Sequence, residues 1–142
     1  MVQYWIFVSQ PFSDFNRGNI IEVMSKGNSE KKWPIGKRTH KKKLLSKSDK
    51  ILFYEAGAEG QKIFGSGELL SGLKVNKEEV EEFVIIGNFK IWNPPTSIRG
   101  VISNLSFIKN VNYWGLYFQG GIVPINESDF NILLNLKKGK NI

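Results

Sequence analysis

The chain has 142 residues, 41% of them hydrophobic and 13% aromatic, enough to close one core without covalent staples. It has no cysteine and a single histidine, so disulfides, thiolate metal sites and a cysteine nucleophile are excluded. A Ser-His-Asp triad would have to use His40, whose neighbouring lysines disfavour the imidazolium that catalysis needs. The net charge of +7 is concentrated between residues 31 and 50, where Lys31, Lys32, Lys37, Arg38, Lys41, Lys42, Lys43, Lys47 and Lys50 stand against the single acid Asp49, an excess larger than that of the whole chain. Clustered charge of this kind is the footprint of phosphate contact with counterion release, the alternative being a lysine-rich loop kept for solubility.

In chain order, residues 2–9 (VQYWIFVS) form a β-branched and aromatic run that suits a strand buried on both faces, ended by Pro11 and Ser13. Residues 14–26 predict a short helix with Ile20, Ile21, Val23 and Met24 on its apolar side, followed by a loop at 27–29. Trp33-Pro34-Ile35-Gly36 reads as a turn, and residues 41–46 as one or two helical turns. A second strand is expected over 49–55 and a third over 62–70, joined through residues 56–60, with Gly65 and Gly67 marking a bulge or a close backbone approach. Residues 76–82 suit a short acidic turn, with Glu78, Glu79, Glu81 and Glu82 as a solvated face without partner cations. A long strand over 83–92 is expected to stop at Pro94-Pro95, a helical segment to span 97–104, and one or two strands to lie within 113–123. Asn126 precedes Asp129 at capping-box spacing, and Phe130, Leu133, Leu134 and Leu136 give the C-terminal helix a core face. Residues 137–142 are expected as a frayed basic tail. Short strands with glycine kinks interrupted by short helices predict an α+β fold built on a mixed β-barrel, in one domain covering 1–142.

Tyr4-Trp5-Ile6-Phe7-Val8, the tryptophan turn at Trp33 and the strand Asp49 to Tyr54 are followed in order by Leu105-Ser106-Phe107-Ile108-Lys109-Asn110, Trp114-Gly115, Phe118-Gln119-Gly120-Gly121 and Ile125 to Phe130. These motifs resemble the opening strand, the tryptophan turn, the second apolar strand and the ending of the EVE domain family of the PUA-like superfamily. The scheme is shared with YTH domains, which read methylated adenine in RNA. The resemblance implies a twisted mixed β-barrel flanked by short α-helices, a pocket for one extruded base, and basic residues that hold the backbone of DNA or RNA.

Trp33 falls by this resemblance on the cage tryptophan. An indole among Lys31, Lys32, Lys37 and Arg38 offers a stacking face for an unpaired base, an interaction worth about 1–3 kcal/mol, the alternative being a core or lid tryptophan. Where the family has Trp-Gly-Val, this chain has Trp-Pro-Ile-Gly, and Pro34 removes one amide from any ligand contact. Ser9 and Gln10 end the first strand where the family offers polar groups to a base edge, with ordinary strand-end chemistry as the alternative, and Asp14 lies near a further polar pocket position. Trp5, Phe7, Ile51 and Phe53 read as core, and Tyr54 as either core or pocket mouth. The loop 71–82 contains no aromatic residue, so a second cage wall would come from Phe83, Trp92 or Trp114. Backbone contacts are expected from Lys31, Lys32, Lys37, Arg38, His40, Lys41, Lys42 and Lys43.

The sequence carries no phosphate loop, dinucleotide fingerprint, zinc motif or EF-hand pattern, so neither cofactor nor metal is expected, and Gly65-Ser66-Gly67 is a lone G-x-G. No stretch approaches the ~20 apolar residues of a membrane span, and the first ten residues lack a basic leader, which leads us to expect a cytoplasmic protein without a membrane partner. The reading is a non-catalytic nucleic-acid-binding module. Two others stay open: an enzyme or accessory subunit of nucleic-acid modification using Glu55, Glu59 or Asp14, and a protein–protein adaptor.

Overall fold

The computed structural model describes residues 2–10, 16–25, 31–57, 61–118 and 121–139. The loop expected at 27–29, Asp14, Glu59 and residues 140–142 lie outside the described residues. Among the described residues seven strands form one sheet: β1 (Tyr4–Ser9), β2 (Lys31–Pro34), β3 (Lys50–Glu55), β4 (Lys62–Leu69), β5 (Lys74–Asn76), β6 (Glu81–Ser97) and β7 (Ile122–Ile125). Their order is β2-β6-β4-β3-β1-β7, with β5 also on β6. Strands β1 and β3 run parallel, Trp5 opposite Ile51 and Phe7 opposite Phe53, while β7 returns antiparallel to the other side of β1. The sheet curls into a half-barrel of mixed strands with short helices, the expected architecture.

Curling splits the apolar residues into two layers by the period of two that a strand imposes. Trp5, Phe7, Ile51 and Phe53 point inward with Trp33, Phe64 and Val84, and helix α1 (Arg17–Ser25) adds Ile20 and Met24 to that side. Ile6, Val8, Leu52 and Tyr54 point outward and are covered by 3₁₀ segments at Arg99–Asn104 and Val111–Phe118 and by helix α2 (Glu127–Gly139). This is why the first strand reads as apolar on both faces.

Gly65 and Gly67 are required where β4 bends. A Cβ at Gly65 would come within 2.9 Å of the Phe89 ring, and one at Gly67 within 3.2 Å of Phe53. The β4–β6 register shifts on both sides of Ser66, as a strand must when it turns a barrel corner.

Three expectations about the strands need correction. Residues Trp33 and Pro34 belong to strand β2 rather than to a turn; Pro34 is tolerated because it ends an edge strand, where its missing N–H interrupts no ladder. Strand β6 does not stop at Pro94-Pro95 but runs to Ser97, the prolines falling in a stretch between Ile91 and Thr96 that β4 leaves unpaired. Residues 113–118 are not strand: two 3₁₀ turns joined by a kink at Tyr113 fill Val111–Phe118, because Trp114 and Phe118 pack as a layer over the sheet, a tertiary demand that overrides β-propensity.

Helix α2 starts as expected, Asp129 N donating to Asn126 Oδ1 at 2.7 Å. It runs on to Gly139, into the segment expected as a frayed tail. The buried Asp129 carboxylate accepts from the Ser106 amide and hydroxyl at 2.9 and 2.7 Å, which ties the helix to the loop before it. Phe130 packs on Tyr4 with ring centroids 4.9 Å apart. Phe130→Ala should cost about 3–5 kcal/mol through the lost burial and the cavity left behind. Chemical denaturation would measure it, and a midpoint equal to the parent's would mean that α2 does not hold the barrel.

Candidate nucleic-acid interface

Strand β2 enters the curled sheet beside the far end of β1, so that Trp33 meets Phe7 and Phe53 across the inner layer. Ring centroids are 5.3 and 5.0 Å away, and the indole residue is only 3% exposed. Trp33 is therefore not the loop residue at an open mouth that its lysine neighbours suggest. It is a core residue with one side on a small cavity of about 120 Å³, lined also by Val8, Ile35, Gly36, Thr39, Gly121 and Ile122. A dry cavity of roughly 150 Å³ accommodates benzene, so the space here matches one flat ring and not a base pair. Its rim is fixed by backbone bonds: Val8 N donates to Gly121 O at 2.8 Å, and Thr39 N to Gly36 O at 3.0 Å.

Sequence reasoning found Trp33 and missed Val8, Thr39 and Gly121. Thr39 was visible only as a polar residue inside the basic run. Gly121 reaches the site because β7 pairs with β1, a contact between the two ends of the chain that no local pattern announces.

The other expected pocket residues separate. Ser9 is fully buried and its hydroxyl donates to Tyr54 O at 3.2 Å, the strand-end chemistry that stood as the alternative. Gln10 is exposed at the end of β1. Tyr54 follows Phe53 and so points to the opposite face of the sheet, where it stacks on Phe118 at 4.4 Å. Burial pushes its phenol above the usual range, with Arg99 opposing the shift. Phe83, Trp92 and Trp114 do not line the cavity: Phe83 lies under the Lys32 ammonium at 4.6 Å, and the other two belong to the outer layer. Trp33 is the one aromatic wall among the described residues. Glu55 faces Arg17 at 3.4 Å.

The basic segment divides by what it touches. Lys42 is half-buried, pairs with Glu82 at 2.8 Å and donates to Lys37 O at 2.7 Å, so it braces the loop instead of waiting for phosphate. Lys50 pairs with Glu68 at 3.2 Å and Lys32 with Glu81 at 3.9 Å. Glu81 and Glu82 thus do carry partner cations, against the expectation of a solvated acidic face. Lys31 is half-buried on β2. Lys37, Arg38, His40, Lys41, Lys43 and Lys47 are exposed. Lys37 and Arg38 fall between two residues of the cavity wall, Gly36 and Thr39.

No family model matches the chain. A 39-residue stretch is 46% identical to the UPF0310 protein in the gntR 5' region of Bacillus licheniformis, spanning 28% of this chain and 26% of that one. Among solved structures, human THYN1 in complex with DNA containing 5-methylcytosine superposes with a TM-score of 0.68 at 14% identity, covering 96% of this chain and 98% of that one. The chain has the PUA-like fold. The PUA-like scaffold also matches the DUF55 domain of human thymocyte nuclear protein 1 (TM-score 0.67, 13% identity, 95% and 98% covered). A hypothetical protein from Leishmania major gives a TM-score of 0.69 at 17% identity, with 100% and 98% covered. At the level of fold, these matches agree with the EVE-type order of motifs.

Packed on Phe7 and Phe53, the Trp33 ring contributes to stability whatever else it does. Trp33→Ala should lower the unfolding free energy by about 3–5 kcal/mol, and Trp33→Phe, which keeps a ring in place, by less. A urea titration of both variants checks this; a parental midpoint for the alanine variant would place the indole outside the core.

Proposed function

We propose that this protein is a nucleic-acid-binding module that takes one extruded base against Trp33 and holds the adjoining strand with the exposed cations after it. The observation that carries the proposal is the juxtaposition at the end of β2: a ring-sized cavity walled by an indole, with Lys37 and Arg38 between two of its lining residues. Stacking supplies affinity for any base, and selectivity for a modified one would come from what fits beside the ring. Support comes from the fold shared with human THYN1, solved with DNA containing 5-methylcytosine. Among the described residues the cavity is lined by apolar side chains, two glycines, one proline and one threonine, with no titratable group to move a proton, which favours binding over catalysis.

The charges that should matter are the exposed ones. Alanine at Lys37, Arg38, Lys41 and Lys43, with Lys42 left to brace Glu82, should flatten the slope of log K against log salt by roughly one unit for each phosphate no longer neutralised. Titrations of single-stranded DNA and RNA, with and without a methylated base, at several salt concentrations measure this. Unchanged affinity and slope would reduce the segment to solubilising surface, and binding without steep salt dependence would favour a protein partner.

A further inference from the structure

No aspartate or glutamate stands between Glu82 and Glu127, where the only charges are Lys90, Arg99 and Lys109. Within that acid-free stretch, the 3₁₀ segment Val111–Phe118 turns large side chains to solvent: Tyr113 is 63% exposed and Leu116 62%. This is not the face of a frayed loop. Phe118 anchors the segment by stacking on Tyr54 and meeting Phe107 and Trp114 edge-on at 5.5 and 6.1 Å, and Asn110 N donates to Tyr117 Oη at 3.1 Å. The Arg99 guanidinium lies over the ring of Trp114, the next residue after Tyr113, at 6.0 Å and is held by Gln61. The segment ends three residues before Gly121, which lines the Trp33 cavity.

An exposed aromatic ring on an anchored segment, in a stretch whose only charges are cations, is a combination suited to an unpaired base and its phosphates. We infer that this surface is a second strand contact. Tyr113 stacks a further base of the strand whose extruded base enters the cavity, on the opposite face of the sheet, and Arg99 and Lys109 face the backbone. The inference rests on the nucleic-acid reading above and extends it to a strand of several nucleotides. Charge decides the occupant: an apolar protein partner would use Leu116 and Val111 but would gain nothing from the cations or the missing acids.

The test is fluorescence anisotropy with a labelled single strand of about 12 nucleotides, within the site sizes such proteins cover. Tyr113→Ala should weaken binding about 5- to 150-fold, Tyr113→Leu by a similar factor because it keeps apolar bulk but no π face, and Tyr113→Phe little. Arg99→Gln with Lys109→Gln should lower the salt slope by roughly two. If Tyr113→Ala binds like the parent while Lys37→Ala with Arg38→Ala is weakened, the second contact is refuted and the cavity reading stands. If the parent itself binds no strand, both fall. Sedimentation velocity supplies the last arm: a dimer that Tyr113→Ala dissociates, with strand affinity unchanged, would assign the surface to self-association and overturn the inference.

Discussion

Asp49 is fully buried, and its carboxylate accepts hydrogen bonds from the Gln3 and Ser46 amides, the Gln3 side chain and the Trp5 indole at 2.9–3.2 Å. With four donors converging on it, the carboxylate is satisfied without a counter-cation, and the buried Trp5 indole N–H has its acceptor there. The same residue closes the turn into β3, its amide donating to Ser46 O, so one side chain fixes the parallel β1–β3 pair and the downstream end of the basic segment. The other end is fixed by β2 on β6, and the middle by Lys42 on Glu82. The exposed cations therefore stand on a frame clamped in three places. Asp49 is also the only acid in that segment, and it is turned inward, so acids reach this surface from elsewhere in the chain: Glu79, Glu81 and Glu82 come from the turn into β6 and its start.

The inner and outer layers of the sheet divide the work. Strand alternation sends Phe53 to the Trp33 side and Tyr54 to the Arg99 side, so the two candidate contacts are backed by neighbouring residues of one strand on opposite faces. Trp33 serves packing and the cavity at once, which is why its removal alone cannot separate fold from binding. The surrounding residues, Thr39 and the exposed cations, can be changed without opening the core.

Much of the fold was legible because its signals are local. The two-sided apolar run of β1, the glycine kinks of β4 and the capped C-terminal helix are each written in a few adjacent residues, and motif order then narrowed the architecture. What was misread depended on partners distant in sequence. The lysines around Trp33 suggest a surface loop, but β2 is held by β6, some fifty residues on, and that pairing buries the indole. Lys42 looks like its neighbours until Glu82 is folded against it. Tyr113 to Phe118 has strand propensity that the aromatic layer over β3 overrules. The cavity was half legible: Trp33 and Gly36 lie in a visible motif, while Gly121 arrives from the other end of the chain.

That last arrangement bears on how the protein is made. Strand β1 has a neighbour on each side in the finished sheet, yet its parallel partner begins only at Lys50 and its antiparallel partner, β7, only at Ile122. Contacts of such long sequence separation form slowly, since loop closure must be paid before pairing rewards it. Until residues 122–125 are made, one edge of an unusually apolar strand waits open, the condition under which nascent chains pair with each other. On a ribosome, the vulnerable interval would close only as those residues emerge from the exit tunnel, which makes the rate of elongation between β3 and β7 a determinant of yield.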